Sequence, residues 1–203
     1  PGPGWEELLE SLGAAGIVRG GQTMNPSAAE LVEAIEAGDA DDVIIMPNNG
    51  NIIFAARQAQ ELTSKRLHII ETTTAAQSVA AMMAYNPEGE PEAVAKDMAE
   101  AATQLRTAEI TYAVRDSDAF ENGIKAGDIL AIIDGDIRVV EDSLEKTALR
   151  ALELVMGGDD APLISIYYGS DVNAEDAQKL AQRIQEAWPN GDVEVYEGGQ
   201  PVY

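Results

Sequence analysis

Neutral hydrogen-bonding side chains cluster in three loops of the first half of the chain. The loops cover residues 20–26, 47–51 and 72–74, and each follows a short apolar segment. The candidate binding residues in them are Gln22, Thr23, Asn25, Asn48, Asn49, Asn51, Thr72, Thr73 and Thr74. Amide and hydroxyl groups donate and accept hydrogen bonds without changing charge. Loops that follow successive strands of a parallel sheet meet at its carboxyl edge. With the apolar segments 16–19, 43–46 and 67–70 as such strands, the pattern predicts a polar rim at that edge, which binds a carboxylate, a phosphate or the backbone of a partner protein.

The same residue types are also common in helix caps and turns, which is the alternative interpretation of each residue taken singly. Each loop precedes a predicted helix, and the first amides of a helix are unpaired donors at the positive end of its dipole. The number of such residues at one predicted edge favours a recognition surface. Helix capping remains an alternative interpretation for each of these residues.

Groups that transfer protons are scarce at this predicted edge. It holds no Lys and no His, and Glu71 is its carboxylate. General acid–base catalysis and nucleophile activation need such a group within reach. The one histidine of the chain, His68, lies in the apolar run 67–70 and is interpreted as a strand residue. Binding is therefore favoured over catalysis.

Metal and nucleotide sites are not indicated by the sequence. There are no cysteines, so disulfides and thiolate zinc sites are excluded. The run Gly20-Gly21-Gln22-Thr23 matches neither the phosphate-binding P-loop nor the dinucleotide-binding pattern. Asp134 and Asp136 offer two carboxylates, but they flank a predicted hairpin turn. We expect no metal ligands and no cofactor in this chain.

The charge balance limits the kinds of partner. The formal net charge is −23, from 36 acidic and 13 basic residues. Such a surface repels nucleic acids and anionic lipids and favours partners with basic patches. No apolar run approaches the roughly 20 residues of a membrane helix, so a cytoplasmic location is expected. The chain begins without Met, from which we expect either a fragment or a processed form of a longer protein.

Strand and helix signals alternate along the chain and predict an α/β fold. Short apolar runs at 43–46 and 67–70 are typical of buried strands, and the segments after them have helical spacing. The alternation predicts a mostly parallel sheet with crossover helices. Asp134-Gly135 between two apolar runs predicts a hairpin. We expect two lobes, residues 1–107 and residues 108–203.

Two shorter patterns involve the second lobe. Gly20-Gly21-Gln22 recurs as Gly198-Gly199-Gln200, which fits either an internal duplication or coincidence. Residues 122–139 look like the central hairpin of PDZ domains, but the carboxylate-binding loop of those domains is not visible. We interpret residues 122–139 as a structural hairpin.

Five motifs in order along the chain carry a family resemblance. They are residues 20–27 (GGQTMNPS), 45–49 (IMPNN), 111–116 (TYAVRD), 166–169 (IYYG) and 198–201 (GGQP). Together they resemble the carboxy-terminal region of the catalytic protein of bacterial fatty acid kinase, a dihydroxyacetone-kinase-like family also called Dak phosphatase. The resemblance runs from about Trp5 to Tyr203, and the family pattern continues past Tyr203 with one more strand.

The resemblance implies a fold, a partner and a division of labour. The fold is the two-lobed DegV-like, or EDD-type, architecture, and the partner is a DegV-like fatty-acid-binding protein. An amino-terminal domain would bind ATP and magnesium, and a middle domain would hold zinc; neither is in this chain. A homodimer is a further expectation. A stand-alone acyl or small-molecule binding protein is the alternative, and a self-sufficient enzyme is a third hypothesis.

The resemblance also points to particular residues. Thr72 to Thr74 lie where DegV-like proteins hold the acyl carboxylate in a Thr-Ser type loop, although no catalytic role carries over. The motifs of the second lobe supply further binding candidates, namely Arg115, Asp116, Gly198, Gly199 and Gln200. No catalytic residue is assigned in this chain.

Overall fold

Helices and short strands alternate along the chain in the computed structural model, which describes residues 2–21, 25–118, 120, 123–158 and 163–201. The helices are α1 (Pro3–Ser11), α2 (Ala28–Ala37), α3 (Gly50–Leu62), α4 (Ala75–Met83), α5 (Pro91–Gln104), α6 (Leu144–Met156) and α7 (Ala174–Ala187). The strands are β1 (Asp42–Ile45), β2 (Arg66–Ile69), β3 (Glu109–Tyr112), β4 (Ile129–Ile133), β5 (Asp136–Glu141), β6 (Leu163–Tyr168) and β7 (Asp192–Glu197). The predicted mixed α/β class is confirmed.

The chain divides into two compact units. The first unit is Glu6–Leu105, and the second unit joins Pro1–Trp5 to Arg106–Tyr203. The expected lobes met at residue 107, whereas residues 1–5 lie with the second unit. The reason is local, because the Gly4 amide donates to the Gly198 carbonyl oxygen at 3.2 Å and the Trp5 ring stacks on that of Tyr167.

The first unit is built on the parallel pair β1 and β2. Val43 pairs with Leu67, and Ile45 pairs with Ile69. Helix α3 is the crossover between the strands, and it packs with α2 on their apolar residues. The buried residues of this core are Leu31, Ile35, Ala56, Ala59 and Leu67. Residues 43–45 of the apolar run 43–46 therefore form a strand as their composition predicts, although they are half-buried rather than buried.

The polar loops were expected to follow successive strands, and this is wrong for the first loop. Residues 14–20, which precede it, do not form a strand. Val18 is 36% exposed, and Arg19 turns back to form an ion pair with Glu6. The apolar stretch is too short, and too exposed at Val18, to fill a strand position in the core.

The second unit contains an antiparallel sheet in the order β3–β4–β5, on which α6 packs. The predicted hairpin between β4 and β5 is confirmed. Its turn residues Asp134 and Gly135 have φ angles of 54° and 83°. Positive φ at both central residues is the geometry that Asp-Gly favours in a two-residue hairpin.

The same unit contains a second sheet, the parallel pair β6 and β7 joined by α7. Helix α7 contacts both strands and buries Ala177, Ala181 and Ile184. Of the three sheets that the described residues form, two are thus parallel pairs with a crossover helix. Within the described residues, no helix is long and apolar enough to cross a membrane.

Candidate functional site

Hydrogen bonds connect the three polar loops of the first unit. The Asn49 Nδ2 donates to Asn25 Oδ1 at 3.0 Å, which joins the first loop to the second. The Thr72 hydroxyl donates to the carbonyl oxygen of Pro47, which joins the third loop to the second. Gln22 and Thr23, also predicted members of the rim, lie outside the described residues. The polar loops therefore share one edge of the first unit.

Several rim residues cap the helices that follow them. The Asn49 Oδ1 accepts hydrogen bonds from the amides of Asn51 at 2.9 Å and Ile52 at 3.1 Å, at the start of α3. The Thr74 hydroxyl accepts from the Gln77 amide at 3.2 Å, and Gln77 Oε1 accepts from the Thr73 amide at 2.7 Å. These bonds satisfy some of the unpaired amides that open α3 and α4.

Thr72 connects the loops from within the core. Its side chain is buried, with 1% of its surface exposed. The hydroxyl donates to Pro47 O and lies 3.2 Å from Ser78 Oγ. A threonine hydroxyl has one proton to donate. Thr72 therefore has no donor left for an external carboxylate in this conformation.

Asn48 and Asn51 differ from the capping residues. In the described part of the chain, no protein group is hydrogen-bonded to either side chain. Asn48 is half-buried and Asn51 is exposed. Their amide groups can each donate and accept, and they are the rim members best placed to meet an external partner.

Phe54 is an exposed aromatic side chain next to the rim. It lies in the second turn of α3 with 66% of its surface exposed. Asn51 precedes it by three residues and Arg57 follows it by three, so the three share one side of the helix. We call these three residues the outer face of α3. Sequence reasoning missed Phe54, although it falls outside the apolar stripe formed by Ile52, Ala56 and Ala59.

Charged groups near the rim are paired. Arg57 on α3 forms an ion pair with Glu71, which immediately precedes Thr72. At the opposite end of the strands, the Asp42 carboxylate pairs with Arg66 and lies 3.1 Å from His68 Nε2. Hydrogen bonds lower the pKa of Asp42 to about 2, and the bond from Arg66 has a larger effect than that from His68. His68 thus lies away from the rim.

Metal binding is not indicated by the geometry. Among the residues that the structure describes, no group of three or more His, Asp or Glu side chains is placed to hold an ion. A cavity of about 430 Å³ lies in the second unit, between α7 and Val193 of β7, and its lining is mostly polar. The rim of the first unit is not part of this cavity.

Of the second-unit candidates, Gly198, Gly199 and Gln200 form a turn that is hydrogen-bonded to residues 4 and 5. The Gln200 Oε1 accepts from Trp5 Nε1 at 3.0 Å, and its Nε2 donates to Tyr167 O at 3.1 Å. The Gly198 and Gly199 amides both donate to Tyr168 O, at 3.0 and 3.1 Å. Gly199 has a φ of 66°, a conformation that glycine adopts readily. Both ends of the Gln200 amide are therefore used within the chain.

Arg115 and Asp116 follow β3. The Asp116 Oδ1 accepts from the Ala126 amide at 2.8 Å, which fixes the loop before β4. Arg115 is exposed. Both residues belong to the second unit, whereas the rim lies in the first.

Comparison with known proteins gives one family. The chain matches, over residues 1–203, the family model for the C-terminal region of fatty acid kinase A-like (FakA-like) proteins. It is 36% identical over 202 residues to protein YloV of Bacillus subtilis, covering all of this chain and 36% of that protein. It is 33% identical to an uncharacterized protein of Staphylococcus aureus, of which it covers 37%. The chain thus spans just over a third of the length of these curated relatives.

Solved structures show the same fold at low sequence identity. A DegV family protein of Corynebacterium glutamicum superimposes with a TM-score of 0.62 and 16% identity, covering 86% of this chain and 75% of that chain. The fatty acid kinase B3 protein of Streptococcus pneumoniae, loaded with linoleic acid, gives a TM-score of 0.58 and 15% identity, covering 85% and 70%. The predicted DegV-like architecture is confirmed.

Proposed function

The chain belongs to the FakA-like carboxy-terminal family, and from this premise we propose that it is the non-catalytic docking domain of a fatty acid kinase. It recognises the DegV-like protein that carries the fatty acid. The acyl carboxylate is then phosphorylated by an ATP-binding domain elsewhere in the kinase. The kinase as a whole is a phosphotransferase, and the part played by this chain is binding.

The observation that carries this proposal is the composition of the rim and of the outer face of α3. Asn48 and Asn51 present amide groups, and Phe54 presents an exposed ring beside them. The nearby charges of Arg57 and Glu71 neutralise each other. Protein interfaces combine aromatic anchors with surrounding polar groups that form hydrogen bonds. Such a surface suits recognition, and among the described residues it offers no unpaired acid or base for catalysis.

The proposal assigns the cofactors to other parts of the kinase. ATP and magnesium belong to an amino-terminal domain and zinc to a middle domain, as the resemblance implies. This chain supplies neither a nucleotide site nor a metal site in the proposal. The homodimer expected from the sequence stays a prediction.

Acyl binding by this chain itself is the alternative function. Its motivation is the fold, which the chain shares with a protein solved with linoleic acid. Two observations favour docking instead. The Thr72 hydroxyl is used internally, and the cavity near α7 lies in the other unit and has a mostly polar lining. Native mass spectrometry after incubation with oleate tests the alternative, and a stoichiometric protein–oleate complex would favour it.

Titration calorimetry of this chain with the DegV-like protein of the same organism tests the docking proposal. We expect a one-to-one complex without ATP. Phe54→Ala should weaken it by at least tenfold, because loss of a central aromatic anchor commonly costs about 2 kcal/mol. Leu62→Ala is the matched control, since Leu62 lies in the same helix with 67% of its surface exposed. It should leave the affinity unchanged.

Two results would contradict docking by this domain. One is the absence of any complex between the wild-type chain and the DegV-like protein. The other is hydrolysis of ATP by this chain alone, which would support a self-sufficient enzyme.

A further inference from the structure

One face of the parallel sheet in the second unit lies opposite the face that α7 covers. Cross-strand pairs on it are Leu163 with Asp192, Ser165 with Glu194 and Tyr167 with Tyr196. Successive side chains of a strand point to opposite faces, so these six residues share a face. Val193, which has the opposite orientation, lines the cavity with α7. We call the six residues the open face.

A row of stacked aromatic rings crosses the open face. The Trp5 and Tyr167 ring centroids are 3.9 Å apart with an interplanar angle of 23°. Those of Tyr167 and Tyr196 are 5.2 Å apart at 20°. Trp5 is buried, whereas Tyr196 is 39% exposed and Leu163 is 55% exposed. The row therefore leads from the core to an aromatic ring that solvent reaches.

Negative charge lies beside the exposed end of this row. The Tyr196 hydroxyl donates to Glu194 Oε2 at 2.7 Å, so a carboxylate is held next to the ring. Asp192 and Glu194 are both exposed, and neither has an ion-pair partner among the described residues. None of the six residues of the open face is basic. The face is thus apolar and aromatic with uncompensated negative charge.

Arginine is the side chain that complements both features. Its planar guanidinium stacks on aromatic rings and donates paired hydrogen bonds to a carboxylate, whereas the lysine ammonium is a strongly hydrated point charge. A chain with a net charge of −23 also attracts basic segments at long range. We propose that the open face binds an arginine-bearing segment of the DegV-like partner, an inference that rests on the proposed function.

A blocked Arg-Arg dipeptide tests the chemistry of the open face without the partner. Titrated into the ¹⁵N-labelled chain, it should shift the amides of β7 and the Trp5 indole N–H in a saturable way. A blocked Lys-Lys dipeptide should bind several-fold more weakly. Glu194→Gln and Tyr196→Ala should abolish the shifts, whereas Tyr196→Phe, which retains the ring, should preserve them. Glu186→Gln on α7, where Arg183 already pairs with Glu186, is the control and should have no effect.

The partner's affinity tests whether this face is used in the complex. Glu194→Gln should lower the affinity for the DegV-like protein about tenfold and reduce its salt dependence, because an interface charge is removed. Equal binding by wild type, Glu194→Gln and Tyr196→Ala would overturn this inference and leave the proposed function intact. So would a dipeptide that shifts no β7 amide. Failure of the wild-type chain to bind the partner would contradict the proposed function instead. The dipeptide titration would then still show whether the open face binds arginine.

Discussion

Asn49 and Asn51 are two residues apart and have different roles. Asn49 uses its carbonyl oxygen to cap α3 and its amide to hold Asn25. Asn51 donates its backbone amide to that cap, while its side chain stays exposed beside Phe54. Residue type does not separate these roles, since both are asparagines in one loop. The difference comes from which side chain points back to the helix amides. It leaves the Asn51 side chain exposed near Phe54, on the surface for which we propose recognition.

Asp42 is a single residue that makes the stability of the first unit depend on pH. Its pKa is lowered to about 2 by Arg66 and His68, against an ordinary value of 3.8. A carboxylate with a lowered folded-state pKa stabilises the fold above its unfolded pKa. This stabilisation is lost as the pH falls from about 4 to about 2. In thermal unfolding between about pH 5 and about pH 2, Asp42→Asn should therefore show a smaller acid-induced decrease in Tm than wild type.

The matched control for this prediction is Asp136→Asn. Asp136 is an exposed carboxylate at the start of β5, and its Oδ2 lies 3.7 Å from Arg138 Nη2. Among the described residues, it has no hydrogen bonds comparable to those of Asp42. It should follow the wild-type pH profile. Identical profiles for Asp42→Asn and wild type would contradict the assigned role of Asp42.

Among the elements, those with local signals were predicted well. Asp134-Gly135 predicted a hairpin because the turn needs positive φ at both residues. Helix α2 begins after Ser27, which caps it through a capping box with Glu30, a pattern that is visible in the sequence. At the start of α6, Asp142 and Glu145 have the spacing of a capping pair, but they do not cap the helix. Ser143 is the N-cap, and Asp142 binds Lys146.

Elements and contacts that depend on distant residues were predicted less well. Residues 16–19 look like a strand in isolation, but Arg19 pairs with Glu6 instead. The Asn49–Asn25 bond joins residues 24 positions apart, and the Thr72–Pro47 bond joins residues 25 apart. No local pattern encodes such pairings. The sequence therefore predicted which loops would meet, but not which side chains would form the hydrogen bonds that join them.

The turn after β7 should contribute measurably to stability. Gln200 satisfies the indole N–H of buried Trp5 and donates to Tyr167 O. Leaving a buried donor without a partner costs about 1–3 kcal/mol. In urea unfolding followed by fluorescence, Gln200→Ala should lower the free energy of unfolding by about 2 kcal/mol. Gln182→Ala, on the exposed side of α7, should change it by less than about 0.5 kcal/mol, and equal losses would contradict this account.

Across the whole molecule, each unit presents a surface suited to binding. In the first unit it is the outer face of α3 with the neighbouring amides, and in the second it is the open face. Both lie in a chain with 36 acidic and 13 basic residues, so basic partners are favoured over nucleic acids or anionic membranes. Proton-transferring groups at the rim are paired or absent in the described residues. Binding rather than catalysis is the function that we propose for both units.

Hydrogen–deuterium exchange of this chain with and without the DegV-like protein tests that claim most directly. We expect the partner to slow amide exchange in residues 47–58, which contain the second loop and the outer face of α3. Added ATP and magnesium should leave the exchange unchanged in the absence of the partner. Protection by ATP alone, or unchanged exchange throughout residues 47–58 in the presence of saturating partner, would contradict it.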